Sequence, residues 1–158
     1  MRVIFANPTQ ALTYRKVEDY LTASSLFRDA LQVATEQPTF YVTYGSAIIS
    51  VEVLAWEVHP WESDDLAIVK ACSCVTVDSQ VNAELMRYLL LENSRMRFGA
   101  FHLGNANEVV FAHSVLGGEN MDLMELQTCI LSVVTIADTY DDIIVEKFGG
   151  QRAVDRLM

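Results

Sequence analysis

Residues 97–116, RFGAFHLGNANEVVFAHSVL, and residues 122–148, DLMELQTCILSVVTIADTYDDIIVEKF, together decide the fold class. The first stretch reads as two strands, Arg97–Leu103 and Glu108–Leu116. Gly104, Asn105 and Asn107 suit the tight connection between them. The second reads as one long helix. Asp122 stands at its N-cap, Glu125 three residues on fits a capping box, and Gly149 fits the C′ position. A hairpin feeding a long apolar helix implies an α+β domain.

Within that helix Leu123, Leu126, Ile130, Val133, Ala137, Tyr140 and Ile144 step by three and four and form one stripe. Met124, Leu131, Val134, Ile136, Ile143 and Val145 widen it beyond the arc of roughly 100° that covering one sheet requires. The surplus implies burial on a second side, by another layer of the core or by a subunit. Asp138, Asp142 and Glu146, with Asp141 beside them, share the opposite face. Like charges at this spacing cost about 0.2–0.5 kcal/mol per pair. A solvated face is the simpler reading; a bound divalent cation is the sharper one. No G-x-x-x-x-G-K-[ST] loop accompanies it to hold phosphate.

Working outward, Thr13 to about Ala34 reads as helical, on Val17, Tyr20, Leu21, Leu26 and Leu31. Thr22, Ser24 and Ser25 weaken its middle, so it is one helix or two. Pro38 ends the region. Phe40, Val42 and Tyr44 alternate as a strand, Gly45-Ser46 supplies a two-residue turn, and Ala47 to about Trp56 makes a long second strand. Ile49, Val51 and Val53 form its core face. Ile48, Ser50, Glu52, Leu54 and Trp56 form a face that is neither clean core nor clean solvent. His59 to Asp65 is a loop carrying Trp61. Leu66–Val75 reads as a third strand. Asp78 or Ser79 caps a helix from about Val81 to Asn93, with Leu85, Leu89 and Met86 inward. The expected architecture is an α+β domain over residues 1–158. An antiparallel sheet (β-β-β-α-β-β) is flanked by helices in the order α-β-β-β-α-β-β-α.

The 158 residues carry a net charge of −10 and are 51% hydrophobic. A chain this long buries about 68–70% of its unfolded surface, enough for a core without disulfide or metal. Its acidity disfavours nucleic-acid and anionic-membrane partners. No stretch approaches the roughly 18 apolar residues of a membrane span, and no signal peptide is legible, so a cytoplasmic location is expected. Cys72, Cys74 and Cys129 read as buried small hydrophobes rather than a disulfide framework or zinc site.

Catalytic signals are missing. Pairing Leu103 with Glu108 would put His102 and His113 on one face but several residues apart, too far to share an ion. No serine or cysteine stands in a nucleophile context. The expectation is a non-enzyme with no cofactor. Leu54, Trp56 and Trp61 remain as candidate contact residues, since such side chains are enriched at binding surfaces.

The run Asn93, Met96, Phe98-Gly99-Ala100-Phe101, Val109-Val110-Phe111, Met121-Asp122, Glu125-Leu126, Ala137-Asp138 and Tyr140-Asp141 resembles the YbjN-like group and its uncharacterised cyanobacterial branch. That group has the fold of type III secretion chaperones. The resemblance covers about residues 13–150 in architecture. It implies a small acidic cytoplasmic protein, a homodimer, and a protein or peptide partner held along apolar grooves. The implied role is chaperone-like or regulatory, and no catalytic residues carry over. The candidate partner or dimer residues are Ile48, Leu54, Trp56, Trp61, Ile136 and Ile143. Asp138, Asp142 and Glu146 are the weak metal candidates, serving the alternative of a small-ligand or cation sensor.

Overall fold

A computed structural model describes residues 2–57 and 65–156. The loop residues Trp61 and His59 lie outside that range. The elements run α1 (Pro8–Ala23), β1 (Gln32–Val33), β2 (Thr39–Tyr44), β3 (Ala47–Trp56), β4 (Leu66–Val77) and α2 (Ala83–Asn93). They continue with β5 (Ala100–Leu103), β6 (Val109–Leu116), α3 (Leu123–Phe148), β7 (Gln151–Arg152) and α4 (Ala153–Arg156). The described strands form one antiparallel sheet in the order β1-β2-β3-β4-β6-β5, with β7 also paired to β4. The expected α+β class and central element order hold; the structure adds β1, β7 and the short α4.

Strand alternation sets the layers. Ala47, Ile49, Val51 and Val53 of β3 point to one side and are buried. Ala67, Val69 and Ala71 of β4 and Val109 and Phe111 of β6 join them. Helices α1 and α3 pack against these strands. From α3 come Leu126, Ile130, Val133, Val134, Ala137 and Ile144, all 2% exposed or less. The long stripe read from the sequence is therefore the helix's core face, apart from its first residue, Leu123, which is 54% exposed.

Helix α1 starts earlier than expected. Asn7 accepts a hydrogen bond from the Gln10 N–H at 2.7 Å, and Pro8 takes the first turn, where its missing N–H costs nothing. It stops at Ala23. A 3-10 turn, Arg28–Ala30, follows, and Leu26 is exposed. Asn82, not Asp78 or Ser79, caps α2 by accepting from the Leu85 N–H at 2.9 Å. Asp122 caps α3 by accepting from the Met124 N–H at 2.6 Å, and Gly149 ends the helix with φ +74°.

The second hairpin differs in register. Leu103 pairs with Val109 and His102 with Val110. Gly104 N–H closes the loop on the Glu108 carbonyl at 2.8 Å, and Asn107 takes a left-handed φ of 62°. A one-residue shift moves a side chain to the other face. His102 and His113 thus stand on opposite faces of the sheet, not on one.

Candidate partner-binding surfaces

The side of the sheet away from α1 and α3 is built from the alternate residues. Register places them in rows. Leu54 lies beside Ile68, and Ile68 beside Leu116. The next row is Glu52, Lys70 and Ser114. The next is Tyr41, Ser50, Cys72, Ala112 and Ala100. Leu54 is 40% exposed, Leu116 55%, and Ile48, Ile68 and Trp56 are half-buried. The ambiguous face of β3 is thus the exposed face of the sheet, crossed by one apolar row and one charged row. A hollow of 580 Å³ lies at its other end, between Tyr41, Ile48, Cys74 and Val110, with Arg156 at its rim.

Cys72 and Cys74 point into this outer face, as their spacing on one strand requires, and are half-buried and exposed rather than core. Desolvation first, then Glu108 and Cys72, pushes the Cys74 thiol up to about 11. Burial and the neighbouring Glu108 carboxylate thus favour the protonated thiol.

On the helical side a second surface follows α3. Ile136 and Leu131 line a 460 Å³ groove with Arg95, Arg97 and Phe98. An adjoining 490 Å³ groove runs between β6 and the start of α3, with Phe98, His113, Leu116 and Met124 in its wall. His113 packs edge-on against Phe98, ring centroids 5.7 Å apart, and burial lowers its pKa. Ile143 is half-buried. The surplus apolar residues of α3 are thus divided: Val134 is core, while Leu131 and Ile136 face a groove.

Helix α2 supplies residues that the sequence reading missed. Leu85 and Leu89 face inward, but Met86 is 45%, Leu90 69% and Leu91 46% exposed. Met86 and Leu90 stand four apart on an outward apolar ridge, with Ala83 and Arg87 beside them. Met86 was expected inside. The i, i+4 pair was the available signal. The inner side of α2 is fixed instead by the Tyr140 hydroxyl, which donates to Glu92 at 2.6 Å, and by Tyr88 against Phe148. The Glu92 bond, more than burial, pushes the Tyr140 pKa up to about 12.

The acidic face of α3 has a structural task. Ser46, in the β2–β3 turn, donates its N–H to Asp138 at 2.7 Å. Its hydroxyl also bonds Asp138, and reaches Asp141 at 2.6 Å. A Cβ on Gly45, whose φ is +58°, would lie 2.8 Å from the Asp138 carboxylate. Asp142 stands 3.8 Å from the Arg152 guanidinium, and Glu146 is exposed. Asp138 and Asp141 thus anchor a hairpin. Among the described residues no three His, Cys, Asp or Glu stand close enough together to hold a metal ion. Among the same residues no helix is long and apolar enough to cross a membrane.

Comparison with known proteins places this geometry. No curated protein matches the chain. Residues 17–156 match the family model described as T3SS (YopN, CesT) and YbjN peptide-binding chaperone 1. The match spans all the strands and helices from α1 to α4 apart from the first turns of α1. With that match over most of its length, and helices packed on one side of an antiparallel sheet, the chain belongs to this family of peptide-binding chaperones.

Proposed function

We propose that the protein is a non-enzymatic chaperone-like or regulatory module of the cytoplasm. It binds an unfolded segment of another polypeptide and acts as a homodimer, one domain per chain. The observation that carries the reading is the exposed outer face of the sheet. Its apolar row Leu54–Ile68–Leu116 and its hollow at Ile48 offer side-chain pockets for an extended segment. Trp56, and Trp61 five positions further along the sequence, extend the candidate contact set.

The outward ridge of α2 serves the second copy better than the α3 residues Ile136 and Ile143. Two chains of net charge −10 repel one another. Residues 83–95 are balanced in charge, Glu84 and Glu92 against Arg87 and Arg95, where the chain as a whole is acidic. Antiparallel pairing of two such helices about a two-fold axis sets Met86 of each copy against Leu90 of the other, as a self-complementary interface requires.

The test uses reduced, carboxymethylated lactalbumin as an unfolded client and light scattering for mass. The double variant Ile48→Asp, Leu54→Asp should bind the client about tenfold more weakly or worse, with its unfolding transition kept. Equal affinity would remove the outer face as the site, and no binding by the parent protein would remove the reading. Leu90→Glu should convert a dimer to a monomer. A monomeric parent sinks the dimer.

A further inference from the structure

Leu26 and Leu123 belong to the apolar helical patterns of the sequence, yet the fold leaves them 45% and 54% exposed. They meet at one place. Both line a hollow of 680 Å³ between α1, the turn that follows it and the start of α3. That volume lies in the range of small-molecule sites, roughly 300–1,000 Å³. The hollow shares no residue with the space at Ile48 on the outer face or with the ridge of α2.

The hollow has a charged end and an apolar end. Lys16, Asp19, Tyr20 and Ala23 all line it and step by three and four, so they share one face of α1. From Lys16 to Ala23 that face runs about 10 Å. The charged pair occupies its first turn. Tyr20, Ala23 and then Leu26 continue it as an apolar surface. Met121 and Leu123 supply apolar wall from the α3 side.

The walls are fastened to one another. Gly118 N–H donates to the Thr13 hydroxyl at 2.9 Å. The Lys16 ammonium donates to the Gly118 carbonyl at 3.3 Å and to the Glu119 carbonyl. These bonds tie the segment before α3 to α1 and use two of the three ammonium hydrogens. They leave its charge without a carboxylate, since Lys16 has no ion pair among the described residues. The exposed Asp19 carboxylate has no ion pair or hydrogen bond among the described residues either. Opposite charges three apart on a helix ordinarily pair; here the two carbonyls hold the ammonium aside.

A cationic and an anionic head on neighbouring positions, with Cβ atoms about 5–6 Å apart, suit a ligand whose own opposite charges lie a few bonds apart. A free α-amino acid has that arrangement. An internal peptide segment carries neither terminal charge and would cover Lys16 and Asp19 without counter-charges. A whole peptide of n residues sets its terminal charges up to about 3.3–3.6 Å × n apart. We propose that the hollow binds a free apolar α-amino acid. Its carboxylate lies on Lys16, its ammonium on Asp19, and its side chain against Tyr20, Ala23, Leu26 and Leu123. The ligand bridges the two helices that cover the sheet. It gives the protein a small-molecule input separate from its polypeptide-binding surface.

The test is titration of the whole protein with L-phenylalanine and with L-leucine, followed by amide chemical shifts in NMR. Saturable shifts should centre on Asp19, Tyr20, Ala23, Leu26 and Gln127, which lines the α3 wall. 3-Phenylpropionate lacks the ammonium and phenethylamine lacks the carboxylate. Each should bind about tenfold more weakly than phenylalanine, or worse. Asp19→Asn removes a charge that nothing described engages, so its melting temperature should stay at the parent's value. It should lose about tenfold or more in affinity for phenylalanine and nothing for 3-phenylpropionate. Ala23→Trp, at an exposed position, should fill the apolar end and weaken phenylalanine about tenfold with folding kept.

No saturation by either amino acid at tens of millimolar overturns the site. Equal binding of phenylalanine and its two singly charged analogues also overturns it, because the hollow would then read only apolar bulk. So does an unchanged affinity in Asp19→Asn, or a saturable response centred elsewhere. If unfolded lactalbumin shifts the same amides and the amino acids do not, the hollow belongs to a polypeptide segment and the proposal falls.

Discussion

The two faces of the sheet are made by the same strands and differ in what they ask of their residues. On the covered face Ile49, Val51, Val69 and Phe111 meet α1 and α3 and have no exposed surface. One residue away on each strand, Ile48, Ser50, Glu52, Lys70, Cys72 and Ser114 mix apolar, small and charged types and are at least partly exposed. The first face must exclude water, so it accepts only apolar groups and a few bonded ones such as Ser73, whose hydroxyl donates to the Ile48 carbonyl at 2.9 Å. The second can hold apolar rows only if it stays soluble. Glu52 and Lys70, opposed across β3 and β4, keep one row hydrated. The difference separates the residues that fold the chain from those free to recognise a partner.

The sharpest way to break that separation is truncation on each side. Ile130→Ala, at a site with no exposed surface, should cost about 2–5 kcal/mol in denaturant unfolding, from lost transfer energy plus a cavity. A loss below about 1 kcal/mol would mean that α3 does not seal the covered face. Next in size is Asp138→Ala. It releases Ser46 and the β2–β3 turn from α3. A hydrogen bond to a charged group is worth roughly 1.5–3 kcal/mol, and exposure of Asp138 reduces that to about 1. If stability is unchanged, the acidic residues of α3 do not tie the hairpin down.

How much of this was legible in sequence depended on whether a signal was local. The alternation Ile49, Val51, Val53 against Ile48, Leu54, Trp56 identified both faces of β3, because side-chain period two is fixed by the backbone. The α3 stripe was legible for the same kind of reason. The register of β5 on β6 was not. One residue in the left-handed region, Asn107, lengthens the loop and shifts every pair, and loop length is weakly encoded. Asn7-Pro8 was a readable helix start that the apolar spacing, beginning at Thr13, obscured. The ridge of α2 escaped because an amphipathic reading assigns apolar residues inward, and Met86 and Leu90 break that rule. The docking of Ser46 on Asp138 and Asp141 joins residues more than ninety positions apart, and spacing along the helix suggested only repulsion. Strand β7 has two residues and no pattern to read.

Asp141→Asn sharpens the comparison from within the acidic face. Asp141 is 2% exposed, and burial raises its pKa despite the bonds from Ser46 and the Asp142 N–H. Asp138, on the exposed side, is held below its ordinary value by Ser46. The two linkages have opposite signs. The native state holds the Asp141 proton more tightly than the unfolded chain, so that contribution is complete below pH 3.8 and is lost as pH rises through the raised folded pKa. The Asp138 contribution is present above pH 3.8 and is lost as pH falls through its lowered folded pKa. Asparagine at position 141 removes the buried charge and keeps one acceptor. It should raise Tm at pH 7 by a few degrees, on the order of 1 kcal/mol, and flatten the melting profile as pH rises above 3.8. A fall in Tm at pH 7 would show that the charge, rather than the shape, holds Ser46.

The smallest expected effect is on the exposed face, and its smallness is the point. Leu54→Ala removes a side chain already 40% exposed and packed on one side only, against the neighbouring strand. Surface changes of this kind move stability by about 0.5 kcal/mol or less. The variant should unfold at the parent's denaturant midpoint within error while binding the unfolded client more weakly. Ile68→Ala, next to it in the row, should behave alike. The pair should add in stability, because neither supports the covered core, and exceed the sum in binding if one client side chain spans both. A loss near that of Ile130→Ala would mean that the row is held inside the molecule by its own folding. The outer face would then be a second core, and the division of labour between the two faces would fail.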